Sequence, residues 1–182
     1  MMELTTKKPI SLIILQGNLF SGKTTFAKQF KTAFSYSTIY SIDDYRILYG
    51  NDELDGEGMA WDMMFTDVLD CNNPIAVCDT TGISKNMSRL WAINKLSIKI
   101  YCPVSECLRR YSTEPNSRNH IPYPYKDKIN NTIKRMSVLL MDIKSDVILS
   151  SLDTPDKMIE NLINEEEFQT FISHVQKSIA NT

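Results

Sequence analysis

No stretch of this chain is long and apolar enough to span a membrane. The first nine residues carry two lysines but no apolar core of the kind a signal peptide needs. A cytoplasmic protein without a membrane partner is the expectation. Histidine is scarce, and His120 and His174 stand too far apart to form a ligand pair by spacing. Cys71, Cys78, Cys102 and Cys107 lack metal-type spacing, and three of them lie in or beside apolar segments, which suits buried reduced thiols. An excess of charge is missing too. With 20 Lys+Arg against 22 Asp+Glu the formal net charge is −2, so no global field favours nucleic acid or anionic lipid, although a local basic groove stays open. There is no internal repeat and no low-complexity linker. The 182 residues, 42% hydrophobic and 23% charged, read as one α/β domain, 1–182, with a full core.

What the chain does have is one dense motif near its start. An apolar run, Leu12 to Leu15, leads into Gly17, and four residues later come Gly22, Lys23 and Thr24, followed by a helical pattern. This is G-x-x-x-x-G-K-[ST] between a buried strand and a helix, the setting a phosphate-binding loop requires. Loop N–H groups and the helix dipole converge on anionic oxygens there. Lys23 is placed to reach the β- and γ-phosphates, and Thr24 to offer its hydroxyl to Mg²⁺. Gly17, Asn18, Ser21, Gly22, Lys23, Thr24 and Thr25 are the expected contacts to ATP or another nucleoside triphosphate.

The rest alternates strand and helix. Helix is predicted from Gly22 to Phe34, where Phe26, Phe30 and Phe34 share one face, and strand from Ser37 to Ile42. An amphipathic piece to Tyr49 precedes an acidic loop, Gly50 to Gly58, and a helix, Met59 to Leu69. Strands follow at Ile75–Cys78, Ile98–Cys102 and Val147–Leu149. Helices are predicted at Ser84–Leu96 with a serine cap, Pro103–Arg110, Tyr125–Met141, Thr154–Ile163 behind Pro155, and Glu165–Ala180. The polar, proline-bearing stretch 112–124 reads as a lid. Five strands separated by helices imply a parallel sheet covered on both faces.

Ligands in such sheets lie outside the carboxyl ends of the strands. Asp79 ends the third strand, where a carboxylate can hold Mg²⁺ directly or through water, or cap a turn. Asp43 and Asp44 follow the second strand, where one can accept a hydroxyl proton and one can serve as a helix N-cap. Arg46 lies three residues past Asp43, on the same side of a nascent helix. Thr80, Lys85 and Arg89 belong to the same rim, with Tyr45 or Trp61 as either a stacking surface or core. Arg109, Arg110 and Arg118 flank or lie in the lid, where a closing arginine would stabilise transition-state charge.

Taken together, Gly17–Thr24, then Ser41-Ile42-Asp43-Asp44-Tyr45-Arg46, then Cys78-Asp79-Thr80-Thr81 resemble the kinase domain of phage-type polynucleotide 5′-hydroxyl kinases. The likeness covers about the first 150 residues and is most specific at Asp-Asp-Tyr-Arg. It implies a sheet order 2-3-1-4-5, Asp43 as general base, Arg46 as acceptor contact, Arg118 as the lid arginine on the donor phosphates, and Arg110 as a lid-flanking counterpart. Two departures stand out. Leu19 and Phe20 replace the family's proline and glycine, so the front of the loop is expected to differ in shape. No D-x-D-x-T phosphatase pattern is present, so a kinase alone is expected.

The expected partners are therefore a nucleoside triphosphate and a hydroxyl-bearing acceptor. The favoured acceptor is a nucleic acid or nucleotide, bound by Arg46, Asp44, Thr80 and Arg89; a hydroxymethylated base in DNA is one form it can take. The alternative is a small-molecule kinase of similar core, such as zeta-toxin-like sugar-nucleotide kinases or antibiotic phosphotransferases. A nucleotide-dependent switch is the third reading. It would need a water-positioning residue, and the sequence displays no such pattern.

Overall fold

The computed structural model describes residues 11–49, 54–89, 92, 94–113 and 128–180. Strand β1 (Ser11–Gln16) is buried along its whole length. Its side chains alternate faces, so Ile13 and Leu15 join one core and Leu12 and Ile14 another. Helix α1 (Lys23–Ala33) follows, then β2 (Ser37–Ser41), α2 (Ile42–Tyr49), α3 (Leu54–Leu69) and β3 (Ile75–Asp79). The second half runs through β4 (Asn94–Tyr101), α4 (Val104–Thr113), α5 (Ile129–Met141), β5 (Val147–Ser150), α6 (Pro155–Ile163) and α7 (Glu166–Ala180).

All five strands are parallel, in the order β2-β3-β1-β4-β5 implied by the resemblance. Helices α1, α6 and α7 cover one face, where Phe26, Phe30, Phe168 and Phe171 pack on Ile13, Leu15, Ile98 and Ile100. The four-residue phenylalanine spacing on α1 is the cause: Phe30 stacks on Phe34 at 4.6 Å, and Phe168 meets both edge-on. On the other face α3 lays Trp61, Met64, Phe65 and Val68 over Leu12, Ile14, Ala76 and Cys78. A third cluster, Cys102, Cys107, Ile129 and Ile133, sits under the front of the phosphate loop and receives Leu19 and Phe20. All four cysteines are free, and three are buried.

The register is what builds the site. Leu15 and Ser41 both align with Asp79, so the strand ends before the phosphate loop, before the Asp43–Arg46 segment and at Asp79 reach one level.

Several elements differ from expectation. Helix α3 begins at Leu54, not Met59, and absorbs part of the acidic segment, because Glu57 is drawn onto Arg46 and Trp61. The helix expected over Ser84–Leu96 is instead a 3₁₀ turn, Lys85–Arg89, and then the start of β4 at Asn94. Leu96, Ile98 and Ile100 alternate with polar residues, and pairing with β1 selects that period of two over the helical one. Asp43 and Asp44 both lie inside the first turn of α2, where they complement the dipole and do not cap it. Thr154 does cap α6, accepting from Lys157 N, with Pro155 at the first turn. Residues 114–127, with most of the expected lid, Arg118 and His120, lie outside the described residues.

Candidate active site

At the carboxyl edge of the sheet a cavity of about 600 Å³ opens. Its wall includes Ser21 through Phe26, Asp43, Asp44, Arg46, Asp79, Thr80 and Arg110, so most of the residues singled out in sequence converge there. Such a volume is in the range of ligand sites.

The loop is held open from below. Gly17 leaves no room for a Cβ, which would stand 2.7 Å from Ile100 O and 2.8 Å from Ser21 Oγ. Gly22 takes φ 91° at the start of α1 and turns the chain into the helix. Asn18 is buried and faces away from the cavity: its Nδ2 donates to Ile133 O at 2.8 Å, and its Oδ1 accepts from Leu19 N. It shapes the loop, and its side chain has no part in the cavity wall. Lys23 Nζ arches back to Asn18 O at 2.7 Å. Ser21 Oγ is buried and has no hydrogen-bond partner among the described residues.

Phe20 adopts φ 60°, the left-handed conformation that glycine takes without strain. Its ring meets Tyr111 edge-on at 5.3 Å and lies against the Cys102–Cys107 cluster, so tertiary contact holds a bulky residue where φ disfavours it. Phe20→Gly should leave the protein more stable than Phe20→Ala by about 1 kcal/mol, because both lose the ring and only alanine keeps the strain. Urea unfolding of the two variants checks this; equal or greater stability of the alanine form would contradict it.

Arg110 ties the loop to its surroundings. It donates through Nε to Glu106 at 2.8 Å, through Nη2 to Ser151 O at 2.8 Å and through Nη1 to Phe20 O at 3.4 Å. Arg109 and Arg110 together draw the Glu106 carboxyl down to about 2. Sequence reading found Arg110 but missed Glu106, although it stands four residues back on the same helix, and Ser151, which comes to Arg110 only through the tertiary fold.

Across the cavity Thr24 Oγ1 donates to Asp79 Oδ2 at 2.6 Å. Asp79 is 4% exposed. Burial raises its pKa against the lowering influence of Lys23 and the Thr24 hydrogen bond, and Asp43 and Asp44 push it further up. A buried carboxylate beside a hydroxyl, next to two more carboxylates, is short of positive charge. Hard oxygen donors at a phosphate loop fit Mg²⁺, which characteristically takes one or two carboxylates and completes its shell with phosphate and water. Thr80 lines the same wall, its hydroxyl bonded to Leu15 O and accepting from Gly82 N.

At the α2 end of the cavity Arg46 donates through Nη1 to Asp43 Oδ1 at 2.8 Å and forks onto Glu57, Nε–Oε2 2.8 Å and Nη2–Oε1 2.5 Å. Glu57 also accepts from Trp61 Nε1 at 2.9 Å. Although burial opposes its charge, these bonds lower the Glu57 pKa, and the Arg46 pKa rises. Glu57 escaped sequence reading because it was assigned to a loop. Arg89 is not in the cavity wall: it pairs with Asp62 at 2.7 Å and covers the Phe65 ring at 4.2 Å. Trp61 is buried in the core, and Tyr45 OH donates to Asp67, so Trp61 offers no stacking surface and Tyr45 is held by α3.

No family model and no curated protein matches this chain. Solved structures do. The APS kinase CysC of Mycobacterium tuberculosis, in complex with AMPPNP and APS, aligns at TM-score 0.61 and 13% identity over 87% of this chain and 98% of that one. The shikimate kinase of Acinetobacter baumannii, in complex with shikimate, aligns at 0.60 and 12% over 87% and 96%. A chain of the Pnkp1/Rnl/Hen1 RNA repair complex aligns at 0.58 and 19%, over 80% of this chain and 50% of that one. The chain shares its fold with these kinases. At such identities the likeness is one of fold, and chemistry has to come from the site.

Proposed function

We propose that this chain is a kinase that transfers the γ-phosphoryl group of ATP, or another nucleoside triphosphate, to a hydroxyl of a small acceptor. The observation that carries this reading is the Thr24–Asp79 contact at 2.6 Å, in a cavity that also contains Lys23 and Asp43. Phosphoryl transfer needs positioning and charge compensation more than covalent chemistry by the protein. The N–H groups at the start of α1 and Lys23 bind the donor phosphates. Asp43 takes the acceptor's hydroxyl proton as that oxygen attacks the γ-phosphorus; the bond to the bridging oxygen breaks and the nucleoside diphosphate leaves. Thr24 and Asp79 would hold Mg²⁺, which when bound neutralises charge on the phosphate oxygens. Arg110 keeps the loop front in place, and Arg118 is the proposed lid arginine.

A small acceptor suits a cavity of this size, and the whole-chain fold neighbours include small-molecule kinases. The second reading, a polynucleotide 5′-hydroxyl acceptor, is favoured by the Asp43-Asp44-Tyr45-Arg46 order and by the fold shared with a chain of an RNA repair complex. Against it stand the buried Trp61 and the paired Arg89. The deciding experiment is transfer of radiolabelled γ-phosphate to sugars, nucleosides, sugar nucleotides, aminocyclitols and 5′-hydroxyl oligonucleotides. Transfer to none of them, with only inorganic phosphate released, would replace the kinase by a nucleotide-hydrolysing switch.

Asp79→Asn should raise the Mg²⁺ concentration needed for nucleotide binding by on the order of tenfold or more, a typical cost of losing a metal-shell group. A Mg²⁺ titration of nucleotide binding that superimposes on wild type would remove Asp79 from the metal site.

A further inference from the structure

Among the described residues, Arg46 is the only cation in the acceptor half of the cavity wall, made by Ser41 to Asp44, Arg46 and Asp79 to Thr81. Its charge is already committed. Glu57 engages it with both carboxylate oxygens, in the parallel two-bond geometry that is among the strongest an arginine makes. Asp43 takes a third N–H, and the Arg46 side chain is 19% exposed. Two carboxylates against one guanidinium leave the cluster with one negative charge, and Asp44 on the same wall adds a second. Glu57 is itself aimed by Trp61, a fixed core residue, so the clamp is built into α3 and not left to a free surface chain.

An acceptor phosphate approaching Arg46 would have to displace a bidentate carboxylate in a partly buried, acid-rimmed site. An uncharged alcohol meets no such barrier, and an ammonium group is welcomed by Asp44 and the exposed part of Asp43. Resting on the kinase reading above, we infer that Glu57 is a specificity-determining positioning residue. By clamping Arg46 it closes the acceptor half of the cavity to phosphate-bearing alcohols and selects uncharged or amine-bearing ones.

The test reads anion binding without catalysis. The full chain, its phosphate loop filled with a non-hydrolysable ATP analogue and Mg²⁺, is titrated with inorganic phosphate while the Arg46 Nε–H resonance is followed by NMR. Glu57→Gln keeps the shape and the Trp61 hydrogen bond but removes the charge. It should bind phosphate at least about tenfold more tightly than wild type, with a saturable Arg46 shift, as expected for one charge removed at contact distance. Adding Arg46→Ala should abolish the gain. Equal phosphate affinities, or a gain that survives Arg46→Ala, would overturn the proposal. Should Glu57→Gln fail to fold, the wild type decides alone: a saturable Arg46 shift at low-millimolar phosphate overturns it, and an unmoved resonance supports it. A chain that transfers no phosphoryl group in the acceptor screen would sink the kinase reading and still leave this measurement readable.

Discussion

Lys23→Ala is expected to slow phosphoryl transfer by about 10²-fold or more, the range lost when one preorganised charge-stabilising group is removed from an active site. Lys23 lies at the first turn of α1, lines the cavity and bonds to Asn18 O at 2.7 Å, within reach of any group cradled by the loop. The fold should survive, since the hydrophobic clusters consist of other residues. The check is single-turnover transfer at saturating nucleotide, beside thermal unfolding of both proteins. Near-normal transfer by a folded Lys23→Ala chain would remove the phosphate loop from the chemistry altogether. Loss of turnover with a collapsed melting temperature would count against the lysine's catalytic role as well, because the substitution is expected to spare stability.

Asp43→Asn should be comparably severe, about 10²- to 10⁴-fold in turnover, the usual contribution of a positioned general base. Asparagine retains an oxygen for Arg46 Nη1, which donates to Asp43 Oδ1 at 2.8 Å, so the local geometry has a means to persist while the proton acceptor is lost. Nucleotide affinity should stay close to wild type, because in the proposed reaction Asp43 serves the acceptor hydroxyl while the loop and Lys23 hold the nucleotide. The pattern sought is a fall in kcat with the nucleotide KM little changed, the signature of an interaction made in the transition state. Asp44→Asn is the internal control and should retain most of the activity. If Asp44→Asn carried the full loss and Asp43→Asn little, the two roles would be exchanged.

The amino-acid sequence determined by itself everything here that depends on short range. The phosphate loop was legible because its spacing, the apolar strand before it and the helix after it are all local. The same holds for the phenylalanine face of α1, the Thr154–Pro155 start of α6, and the placement of Asp79 at the end of β3 and of Asp43 just past the end of β2. The sheet order was legible only through resemblance, because nothing within a strand names its neighbour.

Tertiary structure decided the rest, where two local choices were close in energy or where a partner lay far along the chain. Asn94–Tyr101 joins a segment that carries both a helical and an alternating pattern, and the ladder to β1 made it a strand. Leu54–Gly58 contains two glycines, each worth about 1 kcal/mol against helix, yet the Glu57 bonds to Arg46 and Trp61 carry α3 through them. Phe20 sits at φ 60° only because Tyr111 and the cysteine cluster hold its ring. The electrostatic state of Arg46 was half legible in sequence: Asp43 stands three residues back on the same helix, but Glu57 comes from another helix, and a contact across space is not encoded in residue order alone.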